Sequence, residues 1–511
     1  MPFLPTATCY IHLGPSDNCE LSSSRAYYWA AVLGCSSGGA QLQAILIVIV
    51  LSVSLLVVHY SVRSRPISTR RPLDVDKGLP LPEVGQASTV FSLTALFGAY
   101  LGIYLMLGVP ALAGLAFGTV LGLFVIRYWI SKHNPASFEA FLVSMLGRKN
   151  GNGDAFATLV SIAQCAYAAS ELLILKEASQ QALGMRADQA MLFAVATGII
   201  GYFYILFGGY LAVYRTDILQ FVLLASLTLA LGAYLLASGS LAPWSREIWP
   251  RPGYWSLPIG PRGGIGEYMF HFVIGAIMGF GLFGAAPDAW KRVFVVSRLR
   301  INTTARFAAF AAVGVAPFLV LIPFAHALRP VPDGPISLQN AFPASPARDP
   351  LFVAASLGLI ACFLSSFNSA LLASVHVRLI QLRIARPIER ELPGFHWLMV
   401  VMLILIFSLF AILSTFGNPY MLGNLLLGVY AVIAGIQAGT IAHPAHLPQN
   451  CVLWVSASGI LTWFLYLAAV GGLPSVPSTY EVNTVPFGAA LFVITALTCW
   501  SVSRRGGHEN G

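Results

Sequence analysis

The residues that could do chemistry sit inside stretches that are otherwise apolar. Within 155–178 the chain carries Gln164, Tyr167, Glu171, Lys176 and Glu177. Glu171 follows Gln164 by seven residues, two turns of a helix, so the two share a face. An acid in such a run is costly to bury. It either lines a solute or ion path or serves as a hydrogen-bonded structural group, and the residue types leave both readings open. Lys176 and Glu177 lie near the end of the run, where they can snorkel to the interface. A second set is the hydroxyl pair Ser365 and Ser366, whose oxygens suit a hard cation such as sodium, as oxygen ligands suit calcium and magnesium. A third is the spaced glycines: Gly98 and Gly102 within 87–107, then Gly275, Gly279, Gly281 and Gly284 within 267–286. Glycines in the middle of a membrane helix allow close packing, or weaken the helix until it unwinds around a ligand. There is no nucleophile–base pair, phosphate loop or metal-ligand spacing, so an enzyme is not expected. His271 reads as a packing residue.

What must position these groups is a set of long apolar helices. The 511 residues are 57% hydrophobic and 10% charged, with a mean hydropathy of +0.75; a soluble domain carries about a quarter charged residues. Apolar runs long enough to cross a bilayer recur at 42–61, 87–107, 110–130, 155–178, 189–207, 217–237, 267–286, 307–328, 350–376, 396–415, 420–441, 451–470 and 485–502. The pattern predicts an all-α polytopic membrane protein of about thirteen transmembrane helices. The net charge of +9 reflects topology and not nucleic acid binding. Alternate loops hold about three times as many Lys and Arg as the others, which places the N-terminus outside and the C-terminus in the cytoplasm, in a plasma (inner) membrane. Three of the seven cysteines, Cys9, Cys19 and Cys35, fall in the external segment 1–41, as a disulfide if the compartment is oxidising or else as free thiols.

The stretch Gly208–Gln220, GGYLAVYRTDILQ, separates two of these runs. Gly208 and Gly209 suit a tight turn, and Arg215, Thr216 and Asp217 suit the cap of the next helix. The wording resembles the GGxxAVxxTDxxQ signature of the sodium/solute symporter family, matched by Gly208, Gly209, Ala212, Val213, Thr216, Asp217 and Gln220. Further likenesses are the amphipathic segment 134–146, the WKRVFVVS run at Trp290–Ser297, and SSFNSALLAS at Ser365–Ser374, anchored on Asn368 and Ser369.

The resemblance covers about residues 42–470 and implies a leucine-transporter-type fold. That fold is a five-plus-five inverted repeat with one extra N-terminal and two extra C-terminal helices. The corresponding division is an external segment 1–41, an extra helix 42–61, a linker 62–86, repeats 87–237 and 267–441, extra helices 451–502 and a tail 503–511. The first helix of each repeat would be broken at its glycines. The implied activity is alternating-access transport of a small polar solute, with sodium as coupling ion and no other cofactor.

By the same resemblance, Gly98, Gly102, Gly279, Gly281 and Gly284 would shape the solute pocket. Gln164, Glu171 and Asn424 are the polar lining candidates, and Gly423, Gly428 and Gln437 could also face it. The family's sodium site maps to Thr94, Phe97, Gly358 and Ala361. Where sodium-coupled members carry adjacent hydroxyls this chain has Ala361 and Cys362; Ser365 and Ser366, one turn later, are the shifted alternative. That departure keeps two other readings open. One is a transporter-like sensor or subunit that docks a membrane or signalling partner, and the other is proton-driven or uncoupled transport, with Glu171 as the proton carrier.

Overall fold

Helix length and hydropathy, the strongest signals in the sequence, are also the clearest features of the computed structural model. It describes residues 97–133, 151–182, 185–206, 265–284, 363–378, 391–416, 419–441, 447–469 and 481–508, together with the single positions 209, 213, 216, 217 and 319. Among these, every regular element is helical: α1 (Phe97–His133), α2 (Asn152–Ala182), α3 (Ala187–Leu206), α4 (Ile265–Gly284), α5 (363–378), α6 (Glu391–Phe416), α7 (Pro419–Ile441), α8 (Cys451–Ala469) and α9 (Glu481–His508). Six helical stretches are long and apolar enough to cross a membrane: Val109–Lys132, Asn152–Glu177, Ala187–Leu206, His396–Thr415, Cys451–Ala469 and Phe487–Arg504. They overlay six of the expected runs. Shorter apolar stretches occupy Tyr268–Phe280 and Leu426–Thr440. The expected spans 42–61, 217–237 and 307–328 (apart from positions 217 and 319), the three N-terminal cysteines, segment 134–146 and Trp290–Ser297 lie outside the described residues.

Two expectations are corrected here. The turn expected between 87–107 and 110–130 is helical: α1 runs 37 residues with Pro110 inside it, a length of about 55 Å. Pro110 removes only the N–H that would bond the Met106 carbonyl, and membrane helices tolerate such a loss. Among the described residues, the breaks expected at the glycines are also absent. The backbone is helical through Gly98 and Gly102 in α1, and through Gly275, Gly279 and Gly281 to Gly284 in α4.

The α4 glycines pack. A methyl on Gly275 would overlap the Ala111 carbonyl oxygen, and one on Gly279 the Leu115 carbonyl oxygen; reciprocally, Gly114 faces the Phe272 carbonyl and Gly118 that of Ala276. Two small-xxx-small patterns thus interlock, which is how membrane helices gain van der Waals contact without a hydrophobic driving force. This α1–α4 seam is the most extensive helix contact. Gly428, expected near a cavity, is instead filled against by the Trp463 ring of α8.

The central layer is built by α2, α3, α5 and α6 around Ala168, Leu172, Ala194, Phe367, Leu371, Met399 and Ile406, all buried. Outward, α6 shows Trp397, Val401, Ile404 and Ile412, a lipid-facing stripe at helical spacing. Ser161 donates to the Ser374 carbonyl at 2.8 Å, tying α2 to α5. At the start of α2, the fully buried Asn152 donates to the Pro448 carbonyl and accepts from Val452 N–H, both at 3.0 Å. Arg378, at the end of α5, bonds Thr158 at 3.0 Å and approaches Asp154 at 3.9 Å. The starts of α2 and α8 and the end of α5 therefore lie at one end of the bundle.

Candidate functional site

Helix α2 positions two of the expected lining residues by its own periodicity. Gln164 and Glu171 are both buried, at 4% and 1% exposure. Tyr167, one turn before Glu171, brings its hydroxyl up to the carboxylate and also to Ser366 of α5. Across from it stands Tyr430 of α7. The two rings meet edge to face, with centroids 6.2 Å apart and planes at 88°. The Tyr430 hydroxyl donates to the Ala163 carbonyl at 3.3 Å, which pins α7 to α2 at this level.

Helix α5 supplies the second half. Ser365 and Ser366 are both buried, and Ser365 donates to Asp217 Oδ1 at 2.9 Å. Asp217 has no exposed surface. Its side chain reaches a helix 148 positions away in the sequence. Thr216 bonds back to the Val213 carbonyl at 2.9 Å and accepts from the Tyr204 hydroxyl of α3. Gly209 has a φ of 53°, a conformation that glycine accepts readily. Asn368 packs its side-chain oxygen against Gly201 of α3, where no β-carbon would fit.

The result is a polar file through the apolar layer, from Glu171 by way of Tyr167 and Ser366 to the adjacent Ser365 and then Asp217. Among the described residues the buried side chains that can carry a full negative charge are these two acids, and no Lys or Arg is buried. Among the described residues Glu171 is in no ion pair, and neither of its oxygens makes a hydrogen bond of ordinary geometry. The nearest basic group along α2, Lys176, is held by Glu177 at 3.4 Å. A carboxylate costs several kcal/mol to strip of water, on the order of what one ion pair can restore, so such a group marks a place where something else supplies charge or protons.

Of the other expected site residues, Gly279 packs in the α1–α4 seam. Gly98, Gly102 and Phe97 are described as helical backbone only, as are Gly281, Gly284 and Asn424. Thr94, Gly358, Ala361 and Cys362 lie outside the described residues, as does Gly208. Sequence reasoning left Tyr430 and Tyr204 without any role and did not foresee the bond from Ser365 to Asp217, a partner that only the fold reveals.

No protein-family model matches the chain, and no curated protein matches it. Among solved structures, a Na+-coupled sialic acid symporter in a substrate-bound outward-open state is similar at 15% identity and a TM-score of 0.52, over 90% of this chain and 97% of that one. The chain shares its fold. A manganese transporter of Eremococcus coleocola gives 12% identity and a TM-score of 0.48 over 84% of this chain and 97% of that one. Mhp1, a nucleobase-cation-symport-1 family transporter, gives 13% and 0.45 over 83% and 95%. The protein is thus a multi-pass integral membrane protein with a transporter fold.

Proposed function

We propose that the protein is a secondary transporter that moves a small polar solute by alternating access and does no covalent chemistry on it. The observation that carries this reading is the buried polar file, with the unpaired Glu171 at one end, running through a helical layer that otherwise has no use for it. Solute recognition then rests on side chains of α2, α5 and α7 and not on unwound backbone, because α1 and α4 are continuous at their glycines. Sodium is the coupling ion in this reading. Asp217 with Ser365 offers a carboxylate and a hydroxyl oxygen 2.9 Å apart, and oxygen donors of this kind suit a hard cation. The membrane is the plasma (inner) membrane, with the N-terminus outside.

The test is uptake of a solute library into proteoliposomes under sodium, proton and no gradients. Sodium-driven accumulation supports the reading; solute binding with no gradient-driven uptake refutes it. One observation favours a second reading, a solute sensor or membrane subunit that docks a partner protein. The α1–α4 seam is locked by backbone-to-backbone contact at four glycines, which suits a body that holds one shape. Binding without uptake is the outcome that reading requires.

A further inference from the structure

We infer that the solute is a small organic cation, whose charged head seats between the Glu171 carboxylate and the rings of Tyr167 and Tyr430. The inference rests on the transporter reading and names its substrate class. Three observations converge. Glu171 is 1% exposed, in no ion pair and without a hydrogen bond of ordinary geometry among the described residues. The rings of Tyr167 and Tyr430 meet at right angles with centroids 6.2 Å apart, and both tyrosines lie near the Glu171 carboxylate. No buried Lys or Arg is described that could take the place of a ligand's charge. A carboxylate combined with aromatic faces is the chemistry that attracts an ammonium or quaternary ammonium group.

Other cations fit this corner less well. A metal ion such as calcium or magnesium needs a shell of about six or more oxygens, and the polar group brought up to Glu171 is the single Tyr167 hydroxyl. A proton would cancel the charge but leave a buried carboxyl whose oxygens still lack good partners, and it would give the two rings no role. Other titratable groups on the packed elements are engaged or distant in the sequence. Lys176 and Glu177 pair with each other further along α2, and His376 lies ten residues beyond Ser366 on α5. Asp217 holds Ser365 at the far end of the file. An organic cation supplies both the charge and the apolar surface that the corner lacks.

The experiment measures binding by thermal shift and by equilibrium dialysis on the full chain in nanodiscs. The probes are methylammonium, tetramethylammonium and choline, with 3,3-dimethylbutan-1-ol as the uncharged isostere of choline. At least one cation should bind, and the isostere should bind about tenfold or more weakly. Glu171→Gln should weaken cation binding by about tenfold or more while the protein still melts cooperatively. Tyr430→Phe, which keeps the ring, should bind within about threefold of the parent, whereas Tyr430→Leu should lose about tenfold. Equal binding of choline and its isostere, no binding of any cation, or an unchanged Glu171→Gln would overturn the inference. Uptake of a neutral or anionic solute would also overturn it while leaving the transporter reading intact. Cation binding at Glu171 with no uptake would do the reverse.

Discussion

The four glycines of the α1–α4 seam permit a sharp test of packing against hinging. A β-carbon at residue 118 would lie 2.7 Å from the carbonyl carbon and 2.9 Å from the Cα of Ala276. Carbon atoms in contact sit about 3.5–4.0 Å apart, so α1 and α4 must separate by about 1 Å to admit it. The obstructing atoms are backbone in every case, including the Thr119 nitrogen at 2.9 Å from a β-carbon on Gly279, so no flexible side-chain end can yield. Overpacking of this kind costs about 1–3 kcal/mol per site. Gly118→Ala and Gly279→Ala should each lower the melting temperature in detergent, followed by intrinsic tryptophan fluorescence. The double variant should lose less than the sum, because one separation of the helices accommodates both methyls. Gly266→Ala is the control: it belongs to the same helix as Gly279, but a β-carbon there meets nothing within 4 Å. If Gly279→Ala melts like Gly266→Ala and yet loses uptake, the glycine is a hinge and the packing argument fails.

Two further outcomes follow from buried polar contacts, and one from an exposed pair. Asn152→Ala removes both bonds that join α2 to the start of α8, leaving the Pro448 carbonyl and Val452 N–H short of a partner at a cost of about 1–3 kcal/mol; chemical unfolding that shows no loss would refute the tie. Ser365→Ala strips Asp217 Oδ1 of its serine donor. The sodium concentration giving half-maximal uptake should then rise about tenfold, a loss of roughly 1.4 kcal/mol; an unchanged sodium titration would remove Asp217 and Ser365 from coupling. In the first turn of α3, Asp188 accepts a hydrogen bond at 2.6 Å from Arg186, which just precedes the helix. Both groups are fully exposed, so Asp188→Asn should leave the melting temperature at neutral pH unchanged, and a clear drop would show that the pair is structural.

Helix positions were legible because the bilayer fixes the length of an apolar run: 155–178 was expected and Asn152–Glu177 observed, and 396–415 was expected where His396–Thr415 stands. Helix faces were not legible. In a membrane the lipid-facing side is as apolar as the core, so the sequence of α6 does not tell the buried Met399, Ile406 and Phe410 from the exposed Trp397, Ile404 and Ile412. Glycine spacing is ambiguous for a related reason. Gly275 and Gly279 satisfy equally a pattern for breaking a helix and a pattern for approaching another, and only the facing Gly114 and Gly118 decide between them.

The charge of the site was hidden by the charge of the chain. A net +9 and an excess of Lys and Arg describe loops, where basic groups set topology. The described interior holds two buried acids, Glu171 and Asp217, and no buried Lys or Arg. Neither acid looks unusual locally. Glu171 sits five residues before a lysine that could pair with it, but that lysine is taken by Glu177. Asp217 sits where a helix cap belongs, and it also accepts from Ser365 of a distant helix. It takes the fold to set the two acids at either end of one polar file, and the proposed cationic ligand answers the Glu171 end of it.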